Sequence, residues 1–104
     1  MEQLQLVPLI IATVREYLVS VNGQPEDLPI DGETRLFGKG GLLDSLGLVT
    51  VILDIEQRLA EEHGIAITLA DDRAMSQKRS PFRTVGSLAD YAALLVRETR
   101  RGEP

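Results

Sequence analysis

The chain contains no cysteine, which excludes disulfides and thiolate metal sites. Aromatic residues are scarce, two Phe and two Tyr with no Trp, so a core has to be built mainly of Leu, Ile and Val. Base is outnumbered by acid, 11 Lys and Arg against 16 Asp and Glu. The resulting net charge of -5 argues against a nucleic-acid binder and favours partners with basic surfaces. The N-terminus carries Glu2 and lacks a basic flank, so no signal peptide is expected. No unbroken apolar run reaches the length a bilayer crossing needs, so no stable membrane insertion is expected and the cytoplasm is the expected location. Internal repeats and low-complexity tracts are also missing.

What is present suits one small folded domain. The 104 residues are enough for one domain and not two, and 43% hydrophobic content is too rich for a disordered chain. An ordered core over about residues 4–98 with a frayed C-terminal tail is expected. Leu4, Val7, Ile11, Val14 and Leu18 form one helical stripe, with Arg15 and Glu16 on the wet side. Pro8 suits only a first turn, so the regular helix is expected to start near Leu6, and Asn22-Gly23 stops it. Residues 23–43, rich in glycine and proline, read as a long loop anchored by Leu28, Ile30, Leu36 and Phe37. Asp31-Gly32-Glu33 lacks the spaced carboxylates of a calcium loop, so no metal site is expected there.

The stretch Gly40-Gly41-Leu42-Leu43-Asp44-Ser45-Leu46 is the most informative. Asp44 is a good N-cap, so a helix is predicted to begin at Asp44 or Ser45 and to run to about Glu62. Its core stripe is Leu48, Ile52, Ile55 and Leu59, with Val49 and Val51 beside it. The Ser45 hydroxyl then sits on a first turn, where unpaired N–H groups and the positive end of the helix dipole favour an attached phosphate. A serine-hydrolase reading fails, because Gly-x-Ser-x-Gly needs glycine at position 43, which is Leu. His63-Gly64 ends the helix. His63, the only histidine, has no metal-ligand companion at helical spacing and reads as a residue that complements the dipole rather than a catalyst.

These residues resemble the attachment motif of acyl carrier proteins and related phosphopantetheine-bearing carriers. The resemblance implies a covalent 4'-phosphopantetheine arm on Ser45, with Asp44 and Leu46 completing the motif. It covers most of the chain and implies an all-α, acyl-carrier-like four-helix bundle of three long helices and one short one. Its partners would be a phosphopantetheinyl transferase, an acyl- or aminoacyl-loading ligase and downstream acyl-processing enzymes. Such a carrier is not itself an enzyme, and a monomer is expected. Carriers of the fatty-acid type usually hold more acid early in the helix, where this chain has Gly47 and Thr50. The departure favours a specialised carrier for lipid or secondary-metabolite chemistry. The alternative is a D-alanyl or other aminoacyl carrier, because Leu42-Leu43-Asp44-Ser45 and the long segment before the last helix are similar to that subgroup. A rival of another class is a helical interaction domain without a prosthetic group.

Leu46, Thr50, Leu53, Asp54 and Gln57 fall on the outer face of the Ser-led helix. The two leucines are either edge-of-core residues or the apolar anchors of a docking face for enzymes that load and unload the arm. Ile65 to Leu69 alternates like a strand but has no partner, so it reads as an extended connector whose Ile65 and Ile67 plug the core. Asp71-Asp72 is a candidate cap for the short helix through Met75. The basic run through Arg83 is either a solvated loop or a lip that selects partners, with Phe82 its packing anchor. In the last helix Ser87 is a candidate N-cap with Asp90 three residues on, and Leu88, Tyr91, Ala92 and Leu95 face inward.

Overall fold

The computed structural model describes residues 3–38, 40–69 and 81–101. Three helices account for all the regular structure there: α1 (Gln3–Asn22), α2 (Ser45–His63) and α3 (Val85–Arg101). No strand occurs among the described residues, so the fold is all-α. The predicted short helix from Asp71 and most of the basic run before Phe82 lie outside the described residues, as do residues 102–104. Residues 65–68 take no regular structure, in keeping with an extended connector. Ile65 and Ile67 pack against the core from its edge, and Leu69 is fully buried.

Helix α1 is the central element and packs against both α3 and α2. It begins at Gln3, earlier than Pro8 suggested. The bond that Pro8 cannot donate would have gone to the carbonyl of Leu4, a residue that is 81% exposed, where water can take its place. Its buried side also differs from the predicted stripe. Leu6, Ile10, Thr13, Val14 and Leu18 face the core, Val7 and Ile11 are half-buried, and Leu4 is in solvent. Thr13 is accommodated because its hydroxyl donates to the Leu9 carbonyl at 2.8 Å. Arg15 is half-buried rather than wet, and one of its terminal nitrogens donates to the Leu28 carbonyl at 3.2 Å, tying the loop to α1.

By length and composition the segment Leu4–Asn22, with mean hydropathy 1.5, could cross a membrane. The averaged hydropathy absorbs Arg15 and Glu16, which interrupt the apolar run. In the fold, its Leu6, Ile10, Val14 and Leu18 belong to the shared core.

Helix α2 turns Leu48, Val51, Ile52, Ile55 and Leu59 inward. Val49, expected beside that stripe, is 53% exposed. It lies about 100° around the helix from Leu48, and the core covers only one side there. Gly64 at φ 64 closes α2, and the N–H groups of Gly64 and Ile65 both return to the Leu59 carbonyl. Helix α3 buries the predicted Leu88, Tyr91, Ala92 and Leu95, and with them Val85, Ala89, Ala93 and Val96. Its N-cap is Thr84 rather than Ser87. The Ser87 N–H donates to Thr84 Oγ1 and the Thr84 N–H to Ser87 Oγ, both at 3.0 Å. This is a reciprocal capping box three residues earlier than Ser87 and Asp90 would form it. The helix runs to Arg101.

Candidate functional site

Ser45 is exposed and is the first residue of α2. The cap that starts the helix there is Asp44, in extended conformation with ψ -176, whose carboxylate accepts the Gly47 N–H at 2.7 Å. The Asp44 carbonyl takes the Leu48 N–H at 2.9 Å, opening the helical ladder. The N–H groups of Ser45 and Leu46, ahead of that ladder, have no intrahelical acceptor. They form the electropositive end of α2 on which Ser45 stands.

The loop before Ser45 is tied down over its last residues by backbone hydrogen bonds. Arg35 and Thr84 form an isolated antiparallel bridge, flanked by Leu36 N–H to Arg83 O at 2.8 Å and Val85 N–H to Thr34 O at 3.1 Å. On its other side the same short piece accepts from the Leu42 and Leu43 N–H groups, through Arg35 O at 3.1 Å and Leu36 O at 2.8 Å. The chain therefore reaches Asp44 from a backbone stack that is itself fastened to the start of α3. Gly41 lets the stack close, since a Cβ there would stand 2.7 Å from the Leu36 carbonyl oxygen and 2.8 Å from Phe37 N. Leu36, Ile30 and Leu43 anchor the loop in the core, while Leu28 and Phe37 pack against its edge. The anchors were legible as apolar residues; the bridge was not, because its backbone bonds leave no side-chain pattern.

The outer face of α2 carries Leu46 at 73% exposure and Leu53 at 58%, with exposed Thr50 and Gln57 between and beyond them. Of the two readings of these leucines, edge-of-core is the weaker at such exposure. Val49 joins them, an apolar position that the core assignment concealed. Thr50 donates to the Leu46 carbonyl at 2.8 Å, and Gln57 donates to Glu61 at 3.1 Å. Asp54 is half-buried and turned towards Arg58 at 3.3 Å, so it is partly engaged within its own helix. Arg58 also pairs with Glu16 of α1. The Glu16 hydrogen bond, followed by Asp54, raises the Arg58 pKa above its ordinary value against the opposing effect of burial. His63 closes α2 in the exposed last turn, apart from the Ser45 end. No group of three or more potential metal ligands occurs among the described residues, and Asp31 instead receives the Glu33 N–H at 2.9 Å in a local turn.

No protein-family model, no curated protein and no solved structure matches this chain.

Proposed function

We propose that the chain is a carrier protein that holds acyl or aminoacyl groups as thioesters on a 4'-phosphopantetheine arm attached to Ser45. The observation that carries the reading is an exposed serine hydroxyl at the first position of a capped helix, at the end of a backbone stack that holds the approach in place. Both features fit the arm. An exposed hydroxyl can enter another enzyme's active site, and the helix end tolerates the phosphodiester charge. In the attachment step the Ser45 oxygen forms a bond to the phosphorus that carries the pantetheine. The pyrophosphate bond of coenzyme A breaks, adenosine 3',5'-bisphosphate leaves, and the serine proton passes to a base of the transferase. The short helix after Asp71 completes a four-helix bundle in this reading.

Beyond that bond the chain's own residues form none, the cargo being held on the arm's thiol, and the carrier is not an enzyme. It raises the effective concentration of its cargo for each visiting enzyme, which need not bind the free acyl group tightly. Leu46, Val49 and Leu53, with Thr50 and Gln57, form the surface on which a transferase, a loading ligase or an acyl-processing enzyme would dock. Such a surface, apolar with polar neighbours, suits a partner groove. Acyl cargo for lipid or secondary-metabolite chemistry is the first assignment and an aminoacyl group the second.

The exposure of Leu46, Val49 and Leu53 also favours a second reading, a helical interaction domain with no prosthetic group. The test is incubation of the apo-protein with coenzyme A and a broad-specificity phosphopantetheinyl transferase, followed by intact-mass measurement of wild type and Ser45→Ala. A gain of one phosphopantetheine on wild type alone supports the carrier. Unchanged mass on both assigns the interaction domain. Charging the loaded protein with acyl or D-alanyl groups through the matching ligases separates the cargo classes.

A further inference from the structure

The first turn of α2 contains a glycine that its backbone does not require. Gly47 has no positive φ, so any residue could adopt its conformation, and glycine is a poor helix former. Yet Gly47 is buried although it follows exposed Ser45 and Leu46. The reason is space. A Cβ at this position would stand 3.0 Å from the Tyr17 hydroxyl oxygen, 3.1 Å from Tyr17 Cε1 and 3.1 Å from Asp44 Oδ1. The last of these atoms is the one that accepts the Gly47 N–H at 2.7 Å. Three groups therefore meet at one point: an aromatic ring from α1, the capping carboxylate, and the bare backbone of the turn that carries Ser45.

We propose that Tyr17 is a positioning residue for Ser45, its ring packed against the missing side chain of Gly47 to set how closely the first turn of α2 lies on α1. Ser45 precedes Gly47 by two residues, about 200° around the helix, so Tyr17 braces the turn from the side away from the hydroxyl. The adjacent residue of α1, Glu16, pairs with Arg58 about three turns further along α2. Two neighbouring residues of α1 thus hold α2 at its start and in its second half. The first contact decides where the Asp44 cap and the Ser45 oxygen sit; the second does not touch them.

This inference takes its chemical consequence from the carrier reading, because a transferase must meet the Ser45 oxygen in line with the coenzyme A phosphorus, and small displacements of a reacting atom are costly. The test is a size exchange. Tyr17→Ala removes the brace, Gly47→Val forces the ring away, and the double variant returns volume to the same place. Two readouts are taken on each: transfer of phosphopantetheine to Ser45, and hydrogen exchange of the amide at position 47. Each single variant is expected to lower kcat for transfer at least about threefold with KM for coenzyme A unchanged, and the double to recover to within about twofold, the non-additivity expected of contacting residues. Tyr17→Phe, which keeps the ring, should behave as wild type. Protection of the amide at position 47 should fall in both single variants and return in the double.

Single variants with wild-type transfer and wild-type protection overturn the proposal. So does a loss of rate that follows urea stability alone and is not restored in the double. If wild-type protein accepts no phosphopantetheine, the carrier reading falls, and the exchange data still decide whether Tyr17 and Gly47 set the turn.

Discussion

Removing the Asp44 carboxylate is the sharpest perturbation of the site's frame. The side chain accepts the Gly47 N–H at 2.7 Å and stands at the positive end of α2. Replacing an N-cap acid by alanine costs about 0.5–2 kcal/mol. Loss of the negative charge at a partly exposed helix start contributes about 0.3–1 kcal/mol. The two overlap, so Asp44→Ala is expected to destabilise the chain by about 1–2 kcal/mol, or roughly 4–15 °C in Tm for a domain near 100 residues. Asp44→Asn retains the acceptor and drops the charge, and should lose no more than about 1 kcal/mol. Urea unfolding followed by circular dichroism measures both, and hydrogen exchange at Gly47 locates the damage. Added salt should narrow the gap between wild type and Asp44→Asn, since only the dipole part is screened. If Asp44→Ala unfolds at the wild-type urea concentration, or Asp44→Asn is as damaged as Asp44→Ala, the capping account of this helix start is wrong.

Gly41→Ala should destabilise by about 1–3 kcal/mol in the same unfolding assay, because its Cβ would press on backbone rather than on a movable side chain; a neutral result would refute the tight stack before Ser45. Glu56→Ala should cost about 1–3 kcal/mol by leaving the N–H of buried Leu69 without its acceptor at 2.6 Å, with Glu56→Gln much milder. Leu46→Ser and Leu53→Ser should leave stability within about 0.5 kcal/mol while weakening docking of the proposed partners, read as a raised KM for the carrier in transferase assays. Arg58→Gln should cost only about 0.2–1 kcal/mol. Because the Arg58 pKa is raised, its share of stability is complete below the ordinary arginine value and is lost only as pH rises through the still higher folded value, so titration of Arg58 itself should add no pH dependence near neutrality.

The parts of the fold that could be read from residues are those with local causes. Asp44 announces a helix start, and Asn22-Gly23 and Gly64 announce ends, because capping and left-handed turns select particular side chains. In α3 the large residues Leu88, Tyr91 and Leu95 mark the inward face, while Leu94 in the same apolar stretch stays 40% exposed. In α1 nearly every position from Leu4 to Val14 is apolar or small, so the pattern admits several faces. Contact with α2 and α3 selects Leu6 and Ile10 over Leu4. At the start of α3 both Thr84 and Ser87 are competent caps, and the bond from Ser87 Oγ to the Pro81 carbonyl at 2.8 Å favours the arrangement found. At the site, exposure of Ser45, Leu46 and Leu53 followed from helical geometry. The bridge of Arg35 with Thr84 and the meeting of Tyr17 with Gly47 join distant parts of the chain and have no local signature.

The carrier account is tested most directly by fragment mass spectrometry of the wild-type protein after incubation with coenzyme A and a transferase. The account predicts a single phosphopantetheine adduct, on the peptide containing Ser45 and at that residue. An unmodified Ser45 peptide, or an adduct on Ser20, Ser76, Ser80 or Ser87 instead, would contradict it.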